Sequence, residues 1–271
     1  MKRILLLVLI LACHTAAAYN IDTLVVMSKS MYKEVRNIVI TPNQYSKNGK
    51  AYPVLYMLHG ATDDYMFWPE YVPEVREFAD RYQVILVFPD GARTSWYFDS
   101  PVDSTFRYET YISKELVSHV DQNYNTIANS KGRAITGLSM GGHGAFYLAF
   151  RHPDIWGAAG STSGGMDFRP FPDEWDLAKR LGSFAEYPEN WERNTVVNMV
   201  PLIDKDTLAL IFDCGTEDFF YEGNNALHHK LLNRGIPHTY IEHPGGHTLD
   251  YWLISIEYHL IFFEDYFTRT E

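Results

Sequence analysis

Cysteine is scarce in this sequence: Cys13 and Cys214 are the two in 271 residues. A disulfide-stapled scaffold is therefore excluded, because such folds are dense in cysteine. Positive charge is short as well, with 23 Lys and Arg against 34 Asp and Glu and a net charge of −11. A surface of that sign repels phosphate backbones and anionic lipid, so nucleic-acid and membrane-surface partners are not expected. Beyond the N-terminus no apolar run reaches the roughly 18 residues that a bilayer requires, which leaves no internal span. Metal motifs are missing too: there is no C-x-x-C and no H-E-x-x-H. His243 and His247 are four apart, but Pro244, Gly245 and Gly246 between them forbid the helix that a zinc pair of that spacing needs. His228 and His229 are neighbours on an expected helix, face different ways and read as solvent-exposed. No metal and no cofactor are expected. Neither repeats nor low-complexity linkers interrupt the chain.

The N-terminus carries what the rest lacks, a basic start followed by an apolar stretch. Lys2 and Arg3 precede Ile4 to Ala12, and Ala16-Ala17-Ala18 forms an A-x-A cleavage pattern before Tyr19. Residues 1–18 are thus expected to be a signal peptide, and residues 19–271 one domain that works in a secreted or periplasmic setting. A lipoprotein signal competes with this, Leu11-Ala12-Cys13 being the cleavage region and Cys13 the lipidated residue; Leu11 is larger than usual there. After cleavage at Ala18 one cysteine remains, so no intramolecular disulfide can form. Cys214 lies in an apolar strand and reads as a buried, inert thiol.

Strand and helix patterns alternate. Val35–Thr41 and Tyr52–Leu58 read as strands around an Asn48-Gly49 turn, and Tyr71–Tyr82 as a helix. Gln83–Phe88 is a buried strand, and Phe106–Tyr124 an amphipathic helix with Tyr111, Leu116 and Val120 inward and Lys114 and Glu115 outward. Further strands are expected at Ala134–Leu138, Trp156–Gly160, Leu208–Cys214 and His238–Glu242, and helices at Tyr221–Arg234 and Leu249–Phe267. The span Ser161–Pro201, with a helix near Asp173–Leu181, is the least regular and reads as a cap or pocket wall. This alternation implies an α/β fold, a mostly parallel sheet with helices on both faces. Ligands of such sheets lie at the carboxyl ends of the strands.

One such strand ends in Gly137-Leu138-Ser139-Met140-Gly141-Gly142, followed by a helix-like stretch from His143 to Phe150. Strand, G-x-S-x-G turn and helix are the setting in which the serine is a nucleophile. The motif alone arises by chance in roughly one chain in ten of this length, so partners decide. A serine hydroxyl needs a base, and the base needs a carboxylate, in the chain order Ser, Asp/Glu, His. Asp213, Glu217 and Asp218 cluster at the end of the strand Leu208–Cys214. Asp213 is still within the strand; Glu217 and Asp218 lie past Gly215, and chain order leaves those two near even. An N-cap for the following helix is the alternative role for Asp218. His247, in the loop Pro244-Gly245-Gly246-His247, is the expected base, with His143, His238 and His243 as rivals. The oxyanion donors are expected to be the N–H groups of Met140 and of Ala61, which follows Leu58-His59-Gly60. His59, Trp96, Tyr97 and Trp252 are candidates to line the substrate site, the aromatics being divided evenly between stacking on a sugar or aryl group and plain packing.

These residues resemble the esterase D family of α/β-hydrolases, within it the tributyrin-esterase-like proteins and the feruloyl or acetyl-xylan esterase domains. The resemblance spans nearly all of the chain after residue 18. It is carried by Leu58-His59-Gly60, Gly137 to Gly142, Cys214-Gly215-Thr216-Glu217-Asp218-Phe219 with Tyr221-Glu222 and Asn224-Asn225, and Gly246-His247 with Tyr251-Trp252. It implies an α/β-hydrolase fold, Ser139 as nucleophile, Asp218 as acid, His247 as base, and cofactor-free hydrolysis of short-chain or aryl carboxylic esters. The expected substrate is a small-molecule or glycan ester. Transfer of an acyl group to a sugar, as in the extracellular mycolyl transferases of the family, and a catalytically silent glycan-binding module are the alternatives. Oligomeric state is left open.

Overall fold

The computed structural model describes residues 20–72 and 74–270. The expected signal segment, including Cys13, lies outside them. In chain order the strands are β1 (Asn20–Ser28), β2 (Lys33–Thr41), β3 (Val54–Leu58), β4 (Ile85–Pro89), β5 (Arg133–Gly137), β6 (Ala158–Thr162), β7 (Ala209–Gly215) and β8 (Thr239–His243). The helices are α1 (Phe67–Tyr71), α2 (Val75–Arg81), α3 (Tyr108–Thr110), α4 (Val117–Asn123), α5 (Met140–Arg151), α6 (Leu177–Leu181), α7 (Pro188–Asn194), α8 (Val196–Met199), α9 (Tyr221–Asn233) and α10 (Leu249–Thr270). A π-helical stretch, Tyr111–Leu116, joins α3 to α4.

All eight strands form one sheet in the order β1-β2-β4-β3-β5-β6-β7-β8. Only β2 runs against the rest, antiparallel to both β1 and β4. Strands β3 to β6 are buried at every position, the mark of a parallel sheet covered on both faces. One core layer packs α1, α2 and α10 against the sheet through residues such as Trp68, Phe78 and Phe263. The opposite layer holds the 108–120 helical run, α5 and α9, with Tyr111, Phe146 and Leu227.

Three local expectations change. The Asn48-Gly49 turn exists, with Gly49 N–H donating to Ser46, but the strands around it are not neighbours, because β4 lies between β2 and β3. The single helix expected at 71–82 is two, α1 and α2, since Val72 at φ −125°, ψ 74° leaves the helical region, as a residue before proline tends to. Within 108–123, Tyr111, Leu116 and Val120 are buried as patterned. Glu115, which the pattern sends outward, instead accepts from the Ser28 hydroxyl at 2.6 Å and the Ser30 N–H at 2.8 Å, tying the end of β1 down.

Candidate active site

The turn between β5 and α5 is built so that a hydroxyl stands clear of the sheet. Ser139 sits at φ 54°, ψ −118°, a conformation costly for a residue with a Cβ. Its neighbours must be small: a Cβ on Gly141 would lie 2.6 Å from the carbonyl oxygens of Leu58 and His59. The strained residue is clamped on both sides. Ser139 N–H donates to Thr162 O at 3.0 Å, and Ser139 O accepts from His143 N–H at 3.0 Å and Gly165 N–H at 3.3 Å.

Two loops, one after β7 and one after β8, meet this turn. They are laced together, with Thr216 N–H donating to His243 O and Glu217 N–H to Gly245 O. Only glycine fits at 215, where a Cβ would lie 2.1 Å from Gly245 O. The lacing brings His247 between Ser139 and Asp218: Nε2 is 2.9 Å from Ser139 Oγ and Nδ1 is 2.9 Å from Asp218 Oδ2. Nδ1–H therefore donates to the carboxylate and Nε2 accepts the serine proton. Asp218 Oδ1 also accepts Phe220 N–H at 2.9 Å, so the carboxylate steadies the start of α9 as well. Its side chain is fully covered while that of His247 stays 16% exposed, a wet base on a dry acid.

The rival residues have other work. Glu217 is exposed and contributes its backbone to the lacing. His143 is sealed, donates Nε2–H to Asn194 O at 2.9 Å, and burial pushes its pKa down to about 4. His243 stacks on Tyr251, and His238 pairs with His228. Asp213 is buried in a separate cluster with Thr162, Ser255 and His259. Cys214 is buried, which raises its thiol pKa. Among the described residues no group of three or more His, Cys, Asp or Glu is arranged to hold a metal ion.

Met140 N–H opens the first turn of α5, beside Ser139, and Ala61 is half-buried on the loop that leaves β3. That loop runs close to the serine: a Cβ at Gly60 would be 3.6 Å from Ser139 Cβ. Thr62 N–H, next to Ala61, is tied to Arg93 O at 2.7 Å.

Three of the four expected lining residues are buried. His59 is buried, its Nε2 accepting Gly91 N–H and its Nδ1–H donating to Gly60 O, each at 2.8 Å. Burial lowers its pKa, so the ring is a neutral strut under the loop. Trp96 and Tyr97 are buried rather than overhanging. Both take positive φ, 54° and 61°, which turns them down beneath the turn, where Tyr97 hydroxyl donates to His59 O and Trp96 N–H to Met140 sulfur. Trp252 is half-buried and meets the His247 ring edge-on at 5.0 Å. The aromatic wall the sequence reading missed is Phe219, 47% exposed, 4.3 Å from the His247 ring and stacked on Trp175 at 5.7 Å. Its signal was there in part, as an apolar pair directly after the acid.

A family model described as putative esterase matches residues 28–263. The chain belongs to this family. An esterase of Mycobacterium tuberculosis is 29% identical over an alignment 239 positions long, which covers 77% of this chain and 51% of that protein. The chain thus spans about half the length of the first curated relative it matches. A diacylglycerol acyltransferase/mycolyltransferase of Mycobacterium leprae is 26% identical over 88% of this chain and 83% of its own. Among solved structures, a ferulic acid esterase superposes with TM-score 0.78 at 28% identity, over 92% of this chain and 98% of that one. An S-formylglutathione hydrolase of Staphylococcus aureus has TM-score 0.78 at 20% identity, over 91% of this chain and 99% of that one, a likeness of fold. The fold is that of the α/β-hydrolases.

Proposed function

We propose that this protein is a serine carboxylic-ester hydrolase acting on short-chain or aryl esters, with ester decorations of glycans as its natural substrates. The observation that carries the reading is the unbroken relay from Ser139 Oγ through His247 to Asp218, each link 2.9 Å. His247 takes the serine proton as Oγ attacks the ester carbonyl. Asp218 orients the imidazole and stabilises its charged form. The N–H groups of Met140 and Ala61 receive the oxyanion. His247 then protonates the leaving alcohol, and water releases the acid from the acyl-enzyme by the reverse sequence. Phe219, Trp175 and Trp252 around the base offer ring faces to an aryl or sugar group. The ferulic acid esterase likeness supports an aryl ester. We place the working domain at 19–271 and the protein outside the cytoplasm, on the strength of the N-terminal pattern.

Acyl transfer to a sugar is the second reading, supported by the mycolyltransferase relative. The deciding experiment is turnover of p-nitrophenyl acetate, butyrate and octanoate and of methyl ferulate by the mature protein and Ser139→Ala. Loss of turnover in the variant is expected; near-normal activity would end the serine mechanism. Adding an acceptor sugar separates the two readings, since acylated sugar outpacing free acid would favour transfer.

A further inference from the structure

A second imidazole–carboxylate pair lies behind the site, sealed from solvent, and the proposed mechanism does not use it. Asp213 on β7 and His259 on α10 are bonded at 2.7 Å, with side chains 1% and 0% exposed. The imidazole is anchored at its other end: Thr136 hydroxyl on β5 meets His259 Nδ1 at 2.8 Å. The carboxylate takes two more donors, Thr162 hydroxyl at 2.8 Å on Oδ1 and Ser255 hydroxyl at 2.6 Å on Oδ2, and the two hydroxyl oxygens lie 2.7 Å from each other. Every donor finds an acceptor if Nε2–H donates to Asp213 and Nδ1 accepts from Thr136. A buried polar cluster so fully connected is stiff.

The stiffness reaches the serine through one residue. Thr162 is paired with Asp213 in the β6–β7 ladder, and its side chain points into the cluster while its carbonyl accepts Ser139 N–H. The next residue, Ser163, donates its N–H to Asp213 O at 2.9 Å, and Gly165 returns to hold Ser139 O. Asp213 thus grips Thr162 by its carboxylate and Ser163 by its backbone. Those residues belong to the segment that keeps Ser139 at positive φ, a conformation that persists only where its surroundings enforce it.

We propose that Asp213 is a positioning residue, which fixes the Ser139 turn through the hydroxyl and carbonyl of Thr162, with His259 as its buried anchor. The proposal rests on Ser139 being the nucleophile.

The test pairs two deletions on the same carboxylate. Thr162→Val removes the donor on the serine side, and Ser255→Ala the donor on the α10 side. Both leave the carboxylate one hydrogen bond short. On p-nitrophenyl acetate, Thr162→Val is expected to lower kcat about ten-fold with KM unchanged, the scale expected of a small misplacement of a reacting group. Its rate of covalent labelling by a fluorophosphonate should fall in parallel. Ser255→Ala is expected to match it in lost thermal stability but to keep kcat within about two-fold. Thr162→Ser, which restores the hydroxyl, should recover kcat, and Thr162→Ala stands in if the valine variant does not fold. Equal kcat for the Thr162 and Ser255 deletions, whether both normal or both reduced, would overturn the proposal. Wild-type and Ser139→Ala turnover, run alongside, report on the nucleophile itself, so its failure would be seen separately.

Discussion

Two hydroxyl–imidazole–carboxylate arrangements draw on strands β5 and β7 of this molecule, and only one of them is open to solvent. Ser139, His247 and Asp218 lie on loops at the carboxyl edge of the sheet; Thr136, His259 and Asp213 lie on β5, α10 and β7. The bond lengths are alike, 2.7–2.9 Å, so distance does not separate them. Access does: the outer imidazole keeps 16% of its surface, the inner one none. Backbone does as well, since Ser139 is held at positive φ and Thr136 is ordinary strand. The rings are used in opposite senses, with the carboxylate on Nδ1 outside and on Nε2 inside. A triad is thus recognised by where its hydroxyl is presented, not by its composition.

Mutations at corresponding positions should therefore fail in different ways. Ser139→Ala should cost about 10⁶-fold in kcat, with the thermal midpoint unmoved. Ser139→Gly should lose turnover equally yet gain about 1 kcal/mol of stability, because glycine tolerates the positive φ; a denaturant titration measures this. Asp218→Asn should lower kcat about 10⁴-fold by leaving the imidazole in the wrong tautomer, with little effect on unfolding. Asp213→Ala inverts the pattern. Its first symptom should be a loss of about 3–5 kcal/mol in unfolding free energy, since it takes the buried carboxylate acceptor away from His259, Thr162 and Ser255. A full-stability Asp213→Ala would break the comparison.

Acid offers a gentler probe. His143 is buried with no carboxylate, and its pKa falls to about 4, while burial lowers that of His59 too. The unfolded chain takes up these protons near 6.5 and the folded chain does not. Stability should therefore fall as pH drops from 6.5 toward 4, by up to about 1.4 kcal/mol per pH unit for each such ring. Glu109 adds a later stage. Burial opposes its ionisation, but bonds from His152, Tyr147 and Arg151 outweigh that and hold it at about 2. Its contribution is present above its ordinary 4.5 and is lost as pH falls toward 2. Denaturant titrations between pH 7.5 and 4.5 should show the histidine stage, and His143→Leu should flatten it. Smallest of all, Phe219→Ala should raise KM for methyl ferulate a few-fold while sparing p-nitrophenyl acetate, on the scale of one aromatic contact.

Much of this site could be read from the chain because its chemistry is local. Ser139 announces itself through Gly137 and Gly141, and His247 through its glycine loop. Asp218 was separable from Glu217 by family resemblance, and in the fold by burial. Illegible were the features set by long-range packing. Asp213 was visible as a carboxylate, but His259 lies 46 residues on, in the middle of an amphipathic helix, with nothing local to mark it. The burial of Trp96 and Tyr97, both at positive φ, leaves no trace in composition. Strand β1 has no clear mark in the sequence: it follows the apolar N-terminal stretch directly, and alternation in a strand covered on one face is a weak signal.

The chain order of the sheet has a further consequence, one of timing. Nucleophile and base are separated by 108 residues, and strands β6, β7 and β8 are added one after another between them. At ordinary rates of synthesis that separation is on the order of ten seconds. Through this interval the strained serine turn lacks its base, the acid preceding that base by 29 residues. The hydroxyl's partner lies in the loop that follows β8. The candidate site is therefore complete only when every strand from β5 to β8 is present, so its assembly depends on the far end of the sheet.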